Sequence, residues 1–461
     1  MTSLLARNRP DHTFGAMRVP LRRTLTTLSL VFVMFFNVSG GAFTTESLIV
    51  STGPGIGLLM LILVPLVWSL PETLIIGELA SMLPEEGGYY RWVYRAFGPF
   101  WAFQNGWWTW MYSLVDMAIY PVLFNQYLGF LVPDLGVQAQ WAVSLAVIWI
   151  GTVVNLRGAS RVGIVSIVSG ALVLGVFLTL SIAALPNVSH VPWKPFAAPG
   201  TAGLGGLGVG LSIALWNYIG WDNASTVQGE VADASRSYPR ALAITLPLVT
   251  FGCLIPLSST LAASDWSQWR EGGWPDIARM SAGALGEPLA YLMSIAGVVS
   301  AAALFNALLM SYSRIPFAMA MDGMLPRWLA TVDNRGTPQR AVLVSAVCYS
   351  FFALLSFVHL VVADVLLYSM ALFLEFGALI ALRIQEPLLR GAFRIRSGTR
   401  TVVALALLPG VVLLVTVGLE FRDGEYGAPA VLAAIAAALT GLVLYPVTRR
   451  WREEAVREGA G

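Results

Sequence analysis

Twelve apolar stretches fill most of this 461-residue chain, each long enough to carry a helix across a bilayer, which takes about 20 residues. They run at 24–51, 55–80, 99–131, 138–156, 162–185, 203–229, 241–264, 288–313, 341–358, 360–382, 401–419 and 427–447. A backbone in lipid must satisfy its own hydrogen bonds, and stretches of this length do so as helices, not barrel strands. Charged residues make up 12% of the chain, about half the share in soluble domains. The expected fold class is therefore an all-α polytopic membrane protein with 12 transmembrane helices. The Arg-rich segment 1–23 lacks the apolar region of a cleavable signal, so it is expected to stay in place. Cys253 and Cys348 lie in apolar spans and read as small buried hydrophobes.

Basic residues set the orientation. With the N-terminus inside, only Lys194, Arg270, Arg279 and Arg422 of the 28 Lys and Arg fall in outer loops. That asymmetry is a positive-inside signal and favours an even number of spans. The N-terminal segment 1–23 and the tail 448–461 are both expected in the cytoplasm, with the chain integral to the cell (plasma) membrane.

The spans contain Glu46, Glu72, Asp116, Asp222 and Glu375, and no Lys, Arg or His within those boundaries. A carboxylate at bilayer depth costs roughly 2.5–3.5 kcal/mol on insertion scales, so such a group needs a partner. A proton, a metal cation or a cationic substrate fills that role here, which points to transport of something positive. Glu78 and Glu230, near cytoplasmic ends, are expected to be solvated or gating groups. His12, His190 and His359 fall outside the span cores. With no metal spacing and no nucleophile motif, neither an enzyme, a resident metal nor a cofactor is expected. A channel would need a repeated polar face, which the spans lack. A receptor that binds a nutrient without moving it stays open.

Span one reads Phe36-Asn37-Val38-Ser39-Gly40-Gly41-Ala42, and span six reads Trp216-Asn217-Tyr218-Ile219-Gly220-Trp221-Asp222-Asn223. Both put glycine and small polar residues mid-span, where helix propensity is lowest. A Gly-Gly pair also permits close helix packing, but polar breaks at matching places in two halves point to a transporter site. Spans one to five (24–185) and six to ten (203–382) would then be inverted repeats, with 401–447 outside them. Free carbonyls at the end of a first half-helix suit cations, and free amides at the start of a second suit anions. Asp222 either caps the following half-helix or binds an amine, and the two roles are compatible.

Aromatic residues cluster near these acids. Span three holds Trp107, Trp108, Trp110, Tyr112, Asp116 and Tyr120, and span six adds Trp216, Tyr218 and Trp221. Indole faces attract ammonium groups. Trp101, Trp266, Trp269 and Trp274 read instead as an interfacial belt. Glu46, Glu72 and Asp116 are the candidates for carrying a coupling proton, though a structural hydrogen bond fits Glu46 and Glu72 as well. The loop 265–287 either lies over the outer vestibule as a half-gate or is inert.

Several segments carry a family resemblance. Pro84-Glu85-Glu86-Gly87-Gly88-Tyr89 with Ala96-Phe97-Gly98-Pro99-Phe100-Trp101, and the run Arg314 to Pro326 followed by Thr337-Pro338, resemble the amino acid–polyamine–organocation superfamily of permeases. Val38-Ser39-Gly40-Gly41 with Glu46, Pro71-Glu72, Asp116, Tyr120-Pro121, Trp216-Asn217 and Trp221-Asp222 look most like its polyamine-uptake and L-type amino acid branch. The resemblance implies a leucine-transporter-type fold with a 5+5 inverted repeat and two broken helices. It places substrate between spans one, three, six, eight and ten. Two features depart from the pattern: Asn306 to Met310 offers no acid in span eight, and Ser169-Gly170 stands where many proton-coupled relatives carry lysine.

The reading is a secondary active transporter that imports a polyamine or similar organic cation, coupled to a proton or sodium, with no nucleic-acid partner. Asp116, Asp222 and Glu46 are expected to bind ammonium groups. Trp216, Trp221, Tyr218 and Tyr120 would flank the alkyl chain, and the backbone at Ser39, Gly40 and Gly41 would supply polar ends. An amino acid permease, symporter or exchanger, of the same fold is the alternative.

Overall fold

The computed structural model describes residues 21–199, 206–353, 361–423, 427–448 and 451. Segment 1–23 up to residue 20, most of the tail 448–461, the start of span six at 203–205 and the join of spans nine and ten at 358–360 lie outside the described residues, as do His12 and His359. Among the described residues the structure is helical, with an isolated bridge between Leu25 and Val231 in place of any sheet.

The helices are α1 (Thr27–Val38), α2 (Thr45–Thr52), α3 (Pro54–Val64), α4 (Leu70–Met82), α5 (Gly88–Phe97), α6 (Pro99–Leu131), α7 (Val137–Leu156) and α8 (Ala159–Ala184). They continue with α9 (Leu207–Trp216), α10 (Ala234–Ala263), α11 (Trp274–Ser281), α12 (Gly286–Met321), α13 (Gln339–Ala353), α14 (Val361–Gln385), α15 (Thr399–Asp423) and α16 (Gly427–Leu444). Eight helical stretches are long and apolar enough to cross a membrane, and four shorter apolar ones accompany them. Pro54 and Pro99 open α3 and α6 at the first turn, where a missing N–H costs nothing. Pro65 starts a π turn over Pro65–Ser69 that joins α3 to α4 in one span.

Burial sorts the helices. In α12, 72% of the apolar window is buried, against 17% in α15. α12 packs on α6, α7, α8 and α11 and forms the centre. Large apolar side chains such as Leu414, Ile150 and Val168 point outward, as lipid contact requires. Gly170 on α8 lets the ring of Phe32 on α1 approach, since a Cβ there would stand 2.3 Å from it.

Two arginines change the reading of the charges. α12 and α14 extend past the last apolar residue of their spans, so Arg314 and Arg383 lie inside helices and are buried. Arg314 Nη2 donates to Glu230 Oε1 at 2.7 Å. Arg383 donates to both oxygens of Glu78, at 2.8 and 2.5 Å. The expectations that the spans lack cations and that Glu78 and Glu230 are solvated are thus both corrected. Glu86 sits beside this pair, 3.9 Å from Arg314, and accepts from the Gly229 N–H. Burial and the Glu230 charge push its carboxyl well above the usual range, against the pull of Arg314. Arg91 pairs with Asp322 and Arg95 with Glu386 on the same face. There Glu230 O accepts from the backbone N–H groups of Thr24 and Leu25.

The expected loss from Arg383→Ala is about 3–5 kcal/mol, because Glu78 stays buried without its main partner. Arg95→Ala, whose pair is half exposed, should cost about 0–1 kcal/mol. Thermal unfolding of the two variants in detergent compares them, and equal losses would show that Glu78 does not depend on Arg383.

Candidate functional site

The first break follows α1. Gly40 (φ +65°) and Gly41 (φ +115°) take the left-handed backbone that lets the chain leave the helix. A Cβ on Gly40 would stand 2.8 Å from Ser300 Oγ, and one on Gly41 2.8 Å from Val173. The carbonyls of Gly40, Gly41 and Ala42 each already accept a side-chain hydrogen bond. Ser300 Oγ donates to Gly40 O at 2.6 Å, Ser39 Oγ to Gly41 O at 2.7 Å, and Thr45 Oγ1 and Trp274 Nε1 to Ala42 O at 2.6 and 2.9 Å. The N–H groups of Ser39 and Gly40 both donate to Phe35 O.

The second break follows α9. Gly220 has φ +96° and touches the first break: a Cβ on it would meet Asn37 O at 2.5 Å. Asn217 Nδ2 donates to Thr44 Oγ1 at 3.0 Å and forms a second tie. Beyond the break the chain forms a 3₁₀ helix, Asn223–Glu230, not an α-helix. Asp222 precedes it without capping it. Its Oδ1 lies 2.9 Å from the Tyr368 hydroxyl instead. Trp221 and Tyr218 are fully buried. Trp221 Nε1 donates to Tyr218 O, and Tyr218 OH to Leu61 O, so both serve the break itself.

Between the breaks, α6, α12 and α14 lies a cavity lined by Asn37, Val38, Tyr112, Asp116, Tyr120, Trp216, Ile219, Gly220, Asn223, Leu304, Tyr312 and Tyr368. Its volume, measured to the centres of water molecules, is about 20 Å³, room for one or two waters. Asp116 is its ionisable acid. Tyr120 OH donates to Asp116 Oδ1 at 2.7 Å and Tyr312 OH to Oδ2 at 2.9 Å. The rings of Tyr120 and Trp216 stack with centroids 6.4 Å apart. Asn37 donates to Ser311, while its buried Oδ1 has no partner among the described residues.

Of the expected site residues, the cavity gathers Asp116, Tyr120 and Trp216. Ser39, Gly40, Gly41, Tyr218, Trp221, Asp222 and Glu46 stand off its wall. Asp222 and Glu72 lie behind Tyr368, whose oxygen is 2.7 Å from Glu72 Oε1. Glu46 faces the loop 265–287, where its Oε1 accepts from the Gly272 N–H at 2.9 Å. Trp269 and Trp274 from that loop are buried, Trp274 against Phe177, which removes them from the interfacial belt. Tyr312 and Tyr368 were not singled out in the sequence. Their signal is position, since each lies within an apolar span whose helix faces a break.

Gly220→Ala should destabilise the protein by about 1–3 kcal/mol, through left-handed strain and contact with Asn37 O. Gly175→Ala, with open space around it, should be neutral or stabilising by about 0.5–1 kcal/mol. Thermal unfolding separates them, and equal stability would show that the two breaks have room to part.

The amino acid permease family matches residues 25–443. The polyamine transporter PUT1 of Oryza sativa subsp. japonica is 33% identical over 446 residues, covering 96% of this chain and 82% of that protein. The polyamine transporter RMV1 of Arabidopsis thaliana is 34% identical over 435 residues, covering 93% and 86%. The branched-chain amino acid permease BcaP of Lactococcus lactis subsp. cremoris is 23% identical over 328 residues, covering 63% and 67%. A membrane-spanning helical body, two touching helix breaks and a cavity between them accord with these matches: the chain belongs to the amino acid permease family, and it is an integral membrane transporter, not an enzyme.

Proposed function

We propose that this transporter imports polyamines or related organic cations by alternating access. The observation that carries the reading is the cavity wall: Asp116 and the aromatic pair Tyr120–Trp216, with no Lys, Arg or His among the lining residues. A carboxylate accepts about four hydrogen bonds, and the two tyrosines occupy two of the Asp116 sites. The remaining sites and Asn37 Oδ1 can receive an ammonium group, and the stacked rings offer faces to an alkyl chain and its charge. Asp222 stands one hydroxyl away, behind Tyr368, and offers a second negative point for a diamine. The names of PUT1 and RMV1 support the same substrate class.

The amino acid alternative draws on BcaP. An α-carboxylate needs free amides, but the Ser39 and Gly40 amides are spent on Phe35 O and the Gly220 amide on Tyr368. Those three amides are closed to it, and the acid and aromatic lining of the cavity favours cations. Entry requires the cavity to widen, which fits rocking of one bundle against another in a 12-helix, 5+5 inverted-repeat architecture with halves at 24–185 and 203–382. The paired face of Arg91, Arg95, Arg314 and Arg383 would be the closed cytoplasmic side. Glu46, held by the outer loop, is left to the outer closure, and the coupling ion is proposed to be a proton.

Uptake competition tests the substrate. Putrescine and spermidine are expected to block labelled putrescine uptake into proteoliposomes at least tenfold more effectively than leucine or arginine. Competition by leucine with none by putrescine would replace this reading with the amino acid permease.

Orientation in the plasma membrane is tested with single cysteines in a background lacking Cys253 and Cys348. Lys194→Cys should react with an impermeant thiol reagent on intact cells, and Arg394→Cys only after permeabilisation. The reverse pattern would invert the topology.

A further inference from the structure

We infer that Glu72 and Asp222 hold a single proton between them across the Tyr368 hydroxyl, and that this proton travels with the substrate. The transport half of the inference rests on the reading above; the proton-sharing half rests on hydrogen-bond geometry alone.

The Tyr368 oxygen has three polar neighbours: Glu72 Oε1 at 2.7 Å, Asp222 Oδ1 at 2.9 Å and the Gly220 N at 2.9 Å. A phenol donates one proton and accepts through its lone pairs, whereas an ionised carboxylate only accepts. The Gly220 N–H fills one acceptor site. The phenol proton serves one carboxylate. The other carboxyl sits within hydrogen-bond distance of the same oxygen and has nothing to accept from it, so it must carry the proton itself. Two arrangements satisfy the count. In one, Glu72 is the acid and Tyr368 donates to Asp222; in the other the roles reverse. A shift of two protons along the bridge interconverts them.

The surroundings agree. Glu72 and Asp222 are 0% and 2% exposed, and two bare carboxylates flanking one oxygen away from water would repel at high cost. The titratable groups facing the pair are Glu375 and Tyr368 from α14, Tyr89 from α5, Tyr112 from α6 and Tyr238 from α10. All are acids or phenols. The buried arginines are occupied elsewhere, Arg314 by Glu230 and Arg383 by Glu78. Among the described residues no base faces the pair, so a proton neutralises one of its charges.

The placement supplies the coupling. Glu72 follows the π turn in span two, Asp222 belongs to the second break, and Tyr368 belongs to α14 and lines the cavity. Three elements thus meet at one hydrogen-bonded oxygen. With the proton in place the pair carries one negative charge and Asp116 another, which matches the two positive charges of a diamine when Glu375 is also protonated. The proton is bound from the outer water with the substrate. It is released to the inner water when motion of these elements parts the bridge and both carboxyls ionise.

Infrared spectroscopy of the full chain in nanodiscs at neutral pH reads the proton directly, as a protonated-carboxyl C=O band. Glu72→Gln and Asp222→Asn should each remove the same component, of one carboxyl's intensity, and the double variant should remove no more. Tyr368→Phe should shift that component, and Glu375→Gln should leave it in place. Loss of two separate components, loss of none, or an unshifted band in Tyr368→Phe would overturn the shared proton. For coupling, wild-type proteoliposomes with acid outside should concentrate labelled putrescine, and Glu72→Gln should lower the accumulation ratio at least tenfold. Undiminished accumulation by Glu72→Gln would overturn the coupling role. If the wild type takes up no putrescine, the polyamine reading fails instead, and the infrared result still decides the shared proton.

Discussion

A helix opened inside hydrocarbon leaves backbone groups that no bulk water can take. The architecture around the site follows from how those groups are satisfied. Ser300 on α12 donates to Gly40 O, Trp274 of the outer loop to Ala42 O, Tyr238 on α10 to Trp221 O, and Tyr368 on α14 accepts from the Gly220 N–H. Each bond recruits a different element to the breaks. The cavity is the small space left where these elements cannot all touch.

The acids divide by depth, each with its own kind of partner. Glu78 and Glu230 on one face pair with buried arginines. Asp116 in the middle is held by two phenols, whose neutral donors leave its charge uncancelled. Glu46, on the opposite side, takes a single backbone amide. A fixed cation at the middle level would compete with a cationic substrate. Cations on the face of Glu78 and Glu230 cost nothing in that respect, and there they bind α4 to α14 and α12 to the second break.

Much of this was legible in the sequence. The long apolar runs pointed to a helical membrane protein, and eight described helical stretches are long and apolar enough to cross a membrane; Ser39-Gly40-Gly41 and Gly220 marked both breaks, because only small residues fit where the two backbones meet. Asp116, Tyr120 and Trp216 stood out as polar or aromatic residues deep in spans. What was missed has physical causes. Arg314 and Arg383 sit one residue beyond the spans as drawn, and hydropathy cannot tell a helix end from a helix that continues through protein. Tyr312 and Tyr368 read as ordinary apolar residues until their hydroxyls are placed against acids. A sequence also does not show that Ser300 and Trp274 reach back to the carbonyls of Gly40 and Ala42 from more than 200 positions away.

The loop 265–287 also ties α2 and the first break to a segment far along the chain. Trp274 reaches Ala42 O in the first break and Gly272 reaches Glu46 in α2, from a loop that begins at the exposed Asp265: Asp265 accepts from the N–H and hydroxyl of Ser267, and its carboxyl is held below its ordinary range by those bonds. A point deep in the lipid-embedded body is therefore clamped by residues whose own folding answers to the aqueous phase. A change of sequence in this short loop would reach the backbone of the first break through a single indole hydrogen bond.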